Sequence, residues 1–176
     1  MKKTLFALSF AFLALPAFAA DVSTFAELKA ALADTATTTI TLTADIATPE
    51  KLLINRPLTI IGGGKTVSFA PNPVGWNGNY VFHVYGTSDV TISDIKLTSG
   101  DAGLLVNNSN VTLTGAVDVS GNEFGGIESS NGSVLTVSGA TITNSTESYR
   151  FPTAWEDGTT GATIVGFSAT SNTTVV

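Results

Sequence analysis

Hydrophobic and polar positions follow a repeating pattern along most of this chain. A three-residue unit, apolar-Thr-apolar, occurs as Leu58-Thr59-Ile60, Val90-Thr91-Ile92, Val111-Thr112-Leu113 and Leu135-Thr136-Val137. Ile40-Thr41-Leu42 is an earlier copy, and Thr173-Thr174-Val175 a weaker last one. The central spacings are 21 and 24 residues. The outer spacings of 32 and 38 shorten to about 22 once insertions near 71–80 and 145–160 are set aside.

The neighbours of each copy repeat too. A short strand is expected before it, at Leu52-Leu53-Ile54, Phe82-His83-Val84, Leu104-Leu105-Val106 and Thr163-Ile164-Val165. Another follows it, marked by Val67/Phe69, Ile95/Leu97, Val117/Val119 and Ile142. Turn residues separate them, among them Gly62-Gly63-Gly64, Ser120-Gly121-Asn122 and the run Asn107 to Asn110. Three short strands per period predict a coil whose turns stack as parallel sheets with rungs about 4.8 Å apart. The expected fold is therefore all-β, a right-handed parallel β-helix (a solenoid) of about six short coils.

Inward residues would stack in columns. One is Ile60, Ile92, Leu113 and Val137, and beside it runs Leu58, Val90, Val111 and Leu135. The threonine between them points outward, where a β-branched polar residue suits a pleated surface. A sandwich or jelly roll is the alternative, with hairpins at Asn77-Gly78 and Asn131-Gly132. The near-constant period favours the solenoid.

One helix precedes the ladder. Thr24-Phe25-Ala26-Glu27 is a capping box, and Phe25, Leu28 and Leu32 form a narrow apolar stripe. Residues 20–36 are read as a capping helix over the first rung and 37–176 as the β-helix. The far end falls at Val175-Val176 in the middle of a rung. The expectation there is an open rung, a covering partner, or the continuation of a longer passenger.

The first residues read as an export signal. Lys2 and Lys3 are followed by an apolar run from Leu5 to Leu15, Pro16, and Ala17-Phe18-Ala19 with small residues at a peptidase's two positions. Cleavage after residue 19 is expected, with Ala20 or Asp21 first in the mature chain. The run is too short to span a bilayer, and no later segment is long enough, so the mature chain should carry no membrane span. Removing Lys2 and Lys3 from the eight basic residues leaves six against 14 acidic ones, a net charge of −8. That balance argues against nucleic acid and anionic membranes as partners. There is no cysteine, so disulfides do not hold the fold. The expected location is extracellular or on a bacterial cell surface, with the periplasm left open.

Phe25-Ala26-Glu27-Leu28-Lys29-Ala30-Ala31-Leu32, followed by Ile40-Thr41-Leu42-Thr43-Ala44-Asp45-Ile46, resembles the N-terminal cap and first coil of pectate-lyase-like right-handed β-helix proteins. Leu58-Thr59-Ile60-Ile61-Gly62-Gly63-Gly64-Lys65 resembles the second coil. Ser120-Gly121-Asn122 with Gly125-Gly126-Ile127 is similar to coils of autotransporter and polymorphic outer-membrane-protein passengers. The resemblance implies the fold, and it spans lyases, hydrolases and adhesins.

Candidate chemistry is sparse. A lyase of this class would be expected to show clustered acids for calcium, but Asp94, Asp118 and Glu128 are scattered singly. A hydrolase would need convergent carboxylates, and Asp101 with Glu123, in equivalent exposed turns, is the nearest pair. His83, the one histidine, is expected as an outward, exposed strand residue. Asn107 to Asn110 with Asn131 and Asn172 suggest a structural side-chain ladder. No catalytic residue, metal site or cofactor is expected.

The two insertions are the better lead. Both are read as leaving one corner of the coil, between the second and third strands of a rung, about 14 Å apart along the stack. The first, 71–80, carries Trp76 and Tyr80; the second, 145–160, carries Tyr149, Arg150, Trp155, Glu156 and Asp157. Aromatic faces beside polar groups suit a glycan or a host or cell-surface protein. A non-catalytic adhesion module using these seven residues is the expected function; a small polysaccharide lyase or glycoside hydrolase is the alternative.

Overall fold

A computed structural model of the chain describes residues 18–72, 75, 77–123 and 125–143, and the backbone of 155–156, 163–164, 168–169 and 174–175. Strand β1 (Phe18–Val22) opens it, and helix α1 (Phe25–Ala33) follows. The coils are then β2 (Thr37–Leu42) with β3 (Ile46–Thr48), β4 (Leu52–Ile54) with β5 (Leu58–Phe69), β6 (Tyr80–Tyr85) with β7 (Val90–Thr98), and β8 (Ala102–Asn107) with β9 (Asn110–Asp118). A further coil holds β10 (Gly125–Ser130), β11 (Val134–Val137) and β12 (Thr141–Thr143). Four two-residue strands complete the series: β13 (Trp155–Glu156), β14 (Thr163–Ile164), β15 (Ser168–Ala169) and β16 (Thr174–Val175).

These strands wind a β-solenoid of about five turns. One sheet runs β1-β2-β5-β7-β9-β11-β16, with β3 beside β5 and β12 beside β9; the second runs β15-β10-β8-β6-β4. Every pairing within these two sheets is parallel.

The register reproduces the expected columns. Leu58, Val90, Val111 and Leu135 pair in succession, as do Ile60, Ile92, Leu113 and Val137, and all eight are buried. Thr59, Thr91, Thr112 and Thr136 form the outward, half-buried column between them. The two outermost copies sit two residues away from where the pattern puts them: Ile40 pairs with Ile60, and Val175 with Leu135. A slip of two keeps the same side chains facing inward, so the hydrophobic pattern alone does not resist it.

Two other expectations change. The strand that extends the second sheet beyond β10 is β15, whereas Thr163–Ile164 pairs antiparallel with β13. Loop 71–80 leaves the coil after its third strand segment, between Phe69 and β6, and not between the second and third segments. The second insertion lies outside the described residues apart from the backbone of Trp155 and Glu156.

At the start of the stack, α1 buries Leu28, Ala31 and Leu32, with Phe25 packed against the core. The capping box forms as expected: Glu27 N–H donates to Thr24 Oγ1 at 3.3 Å, and the Glu27 carboxylate accepts from Thr24 N–H at 3.0 Å. The helix's last carbonyls meet Arg56, whose guanidinium donates to Ala31 O at 2.8 Å and Leu32 O at 3.2 Å. β1 has no counterpart in the expected elements. It includes Phe18 and Ala19, which the leader reading assigns to the cleaved peptide, and Ala20–Val22, which that reading retains.

Candidate functional site

The outward face of the second sheet is built by a slip in alternation. Val81 and Phe82 are both core residues, so Tyr80 lands outside, packed with Ala102 and Leu105. On the next strand, a Cβ added at Gly103 would point inward at Val119 and Leu97, so Ala102 shares Tyr80's side of the sheet. Three outward columns result. They are Tyr80, Ala102 and Gly125; then Leu53, His83, Leu105 and Glu128; then Tyr85, Asn107 and Ser130.

Small neighbours in its own column leave room for the Tyr80 ring to lie along the stack. Its hydroxyl donates to the Glu128 carboxylate two strands away. The ring covers Leu105, which is 7% exposed although it faces outward. On β6 itself, the His83 ring lies 6.3 Å from Tyr80 and 5.7 Å from Tyr85, the latter edge-on. Leu53 at 46% and Tyr85 at 51% are two of the large apolar or aromatic side chains most open to solvent. Beside Tyr85, Asn107 accepts from Asn131 Nδ2 at 2.7 Å. The face thus offers one exposed aromatic ring, Tyr85, an exposed leucine, two side-chain amides and a carboxylate, groups able to stack on a ring and bond to its hydroxyls.

His83 faces outward as expected, but it is half-buried instead of exposed. Burial between the two tyrosines pulls its pKa below the ordinary imidazole value, and the Lys51 charge adds to that. Its Nε2 is buried without a hydrogen-bond partner among the described residues.

The expected site residues fare differently. Tyr80 is buried at 6% exposure, its ring serving the face described above. Trp155 and Glu156 form β13, with their backbone opposite Ile164 and Thr163. Trp76, Tyr149, Arg150 and Asp157 lie outside the described residues, as do the side chains of Trp155 and Glu156. The structure therefore brings Tyr80 together with His83, Tyr85, Leu105 and Glu128, none of which the loop reading includes.

The acid pair is not two solvated turn carboxylates. Asp101 is fully buried, and its Oδ2 accepts from the backbone N–H groups of Asn77 at 2.7 Å and Asn79 at 2.8 Å. It clamps the far half of loop 71–80. Glu123 lies one rung on and is exposed, its N–H bonded to Gly100 O at 2.9 Å. Among the described residues, no group of three or more potential metal ligands converges. The asparagine ladder is present as Asn107 with Asn131; Asn172 lies outside the described residues.

Among the described residues, no helix is long and apolar enough to cross a membrane. No curated protein matches the chain. A solved structure named "L. reuters 100-23 SRRP" is similar over 92% of this chain and 47% of its own length, at 19% identity and a TM-score of 0.43. The chain thus spans about half of that structure. Residues 19–149, which take in the helical cap, the coils and the corner that carries loop 71–80, match a family described as a pectate lyase-like adhesive domain. The solenoid with its outward aromatic face belongs to the pectate lyase-like adhesive domain family.

Proposed function

We propose that this domain is a non-catalytic adhesion module, acting outside the cell or at its surface, that holds a glycan on the outward face of its second sheet. The observation that carries the reading is the pairing of an exposed Tyr85 with Asn107 in one column, beside His83 and the exposed Leu53. A sugar ring lying on Tyr85 would set its C–H groups against the aromatic face and its hydroxyls within reach of the Asn107 amide. Loop 71–80 leads into β6 of this sheet, and Trp76, with Trp155 of the second insertion, is proposed to extend the stacking surface. Membership of an adhesive family supports adhesion as the role.

The test is a glycan array probed with the mature protein and with Tyr85→Ala, Leu53→Ser, Trp76→Ala and Trp155→Ala variants. Loss of signal in Tyr85→Ala, with an unchanged circular dichroism spectrum, supports the reading. Undiminished binding by that variant overturns it. Undiminished binding by both tryptophan variants removes the loops from the site and leaves the sheet face.

A further inference from the structure

The first sheet carries a second concavity, at the bend where each long strand turns between its two halves. In β5 the bend is Gly62-Gly63-Gly64, in β7 it is Asp94 alone, and in β9 it is Gly115-Ala116. Gly63 and Gly64 have φ of +58° and +75° and no side chains, so one rung lacks the bulk that its neighbours carry. A cleft of about 470 Å³ results, lined by Gly63, Gly64, Thr66, Asp94, Lys96 and Asp118, together with Ile95 and Ala116. That volume lies within the usual range of small-molecule sites, about 300–1,000 Å³.

Its polar groups are held in place. Asp94 Oδ1 accepts from Ala116 N–H at 3.0 Å, and Gly115 leaves the space the carboxylate needs, since a Cβ there would lie 2.2 Å from Oδ1. Asp94 Oδ2 has no hydrogen-bond partner among the described residues, and neither does the Thr66 hydroxyl. Lys96 Nζ donates to Asp118 Oδ2 at 2.7 Å and Ser120 Oγ at 3.3 Å, which leaves one of its three N–H groups. Thr66, Lys96 and Asp118 are successive members of one outward column.

We propose that this cleft is a second ligand site, separate from the aromatic face, that takes one ring of a neutral saccharide. Asp94 Oδ2 and Thr66 Oγ1 accept from ring hydroxyls, and the remaining Lys96 N–H donates to one. The glycine backbones and the Ala116 methyl form a floor with no bulk to exclude the ring. Two carboxylates against one ammonium disfavour an anionic sugar. A cation gains little from an exposed carboxylate that has an ammonium nearby. With a site on each sheet, the domain could hold two glycan chains or two points of one chain, raising avidity without tightening either contact.

The experiment is an amide chemical-shift titration of the mature protein with methyl glucoside, methyl galactoside and methyl mannoside. Glucuronate and n-butylamine serve as charged comparators. Saturable shifts at Gly63, Gly64 and Ala116 with at least one neutral hexoside are expected. Asp94→Asn, which keeps the bond to Ala116, should weaken that binding about tenfold, or 1.4 kcal/mol. Tyr85→Ala should leave it unchanged, so failure of the aromatic-face reading stays distinguishable from failure here. Absence of shifts with all three hexosides, shifts with n-butylamine or glucuronate alone, or full affinity in Asp94→Asn each overturns the proposal.

Discussion

Asn122 is the most demanding polar residue in the core, and its replacement has a predictable cost. It is 2% exposed, at the turn where β9 gives way to β10. Its Nδ2 donates to Leu97 O at 3.0 Å and Val119 O at 2.7 Å, while its Oδ1 accepts from Gly100 N–H at 3.0 Å. One side chain therefore ties its own turn to the rung below. Asn122→Ala leaves an N–H without its acceptor and two carbonyls without a donor, all in a dry site. At about 1 kcal/mol or more for each stranded group, the loss is about 3 kcal/mol. For a domain of this length that corresponds to a fall in Tm of about 10 °C.

Asn122→Asp sharpens the test, because the geometry predicts a pH response that a simple packing defect lacks. The carboxylate keeps an acceptor for Gly100 but turns its second oxygen toward two carbonyls. Protonation restores a donor, so the folded state should raise this carboxyl's pKa. A group held at a raised pKa stabilises the folded form below the unfolded value and loses that contribution as pH rises. Urea unfolding should thus find Asn122→Asp less stable than Asn122→Ala at neutral pH, with the gap closing near pH 4. A loss below about 1 kcal/mol for Asn122→Ala would refute the reasoning, as would a pH-independent gap between the two variants.

The glycines at the strand bend separate strain from collision. Gly115→Ala meets both a φ of +65° and the Asp94 carboxylate, whereas Gly64→Ala has a φ of +75° and nothing within 4 Å. Chemical denaturation should show a cost of about 1 kcal/mol for Gly64→Ala and at least twice that for Gly115→Ala. Arg56→Met keeps much of the aliphatic stem and removes the donors to the end of α1. Hydrogen exchange should then speed up in the helix by about tenfold while the central strands stay protected. Acid should lower the stability, read by urea unfolding, in two stages. His83 has a lowered folded pKa, so the unfolded chain takes the proton first, and stability falls as pH drops below about 6.5. Glu27, held down by bonds from Ser23 and Thr24, and Asp34, held down by bonds from Ala36 and Thr37, supply the second stage, below about pH 4. His83→Phe should remove the first stage and leave the second; a single acid transition in both proteins would contradict this.

The core columns were legible because a two-residue period, a β-branched outward position and a constant repeat all point to one register. The end copies were less so, since Ile40 and Val175 satisfy the inward pattern equally well two residues away. The aromatic face was half-visible. Leu104-Leu105-Val106 is apolar at every position, and an unbroken run marks a strand covered on both sides, whereas the same pattern at Leu52-Leu53-Ile54 leaves Leu53 exposed. What covers Leu105 depends on Tyr80 slipping outward at the start of β6, and alternation from Phe82 would have placed Tyr80 inside. Asp101 and Glu123 occupy equivalent turns, yet one is buried and the other exposed. The difference arises because an amide pair in loop 71–80, more than 20 residues away, reaches back to Asp101 alone.

The absence of cysteine raises the question of what fastens one turn to the next besides strand pairing and the core. The answer lies at the corners, in short polar side chains that reach one rung along. Asp45 accepts from Thr66 N–H at 2.8 Å and Asp94 from Ala116 N–H at 3.0 Å, at the same bend two rungs apart. Asn131 bonds Asn107, Ser133 Oγ accepts from Ser109 N–H at 3.2 Å, and Ser109 Oγ from Thr87 N–H at 3.3 Å. Asp101 and Asn122 do the same where the third strand segment leads into the next coil. Each such bond crosses between residues 20 or more apart, so each corner closes a loop of about one coil. Acidic and amide residues are thus abundant here for a reason prior to any ligand: a coil without disulfides needs acceptors at its turns. Glu128 differs from these acids, because its described partner is the Tyr80 hydroxyl on the outward face and not a turn amide. That distinction sets the acid of the second sheet apart from the carboxylates that fasten the turns.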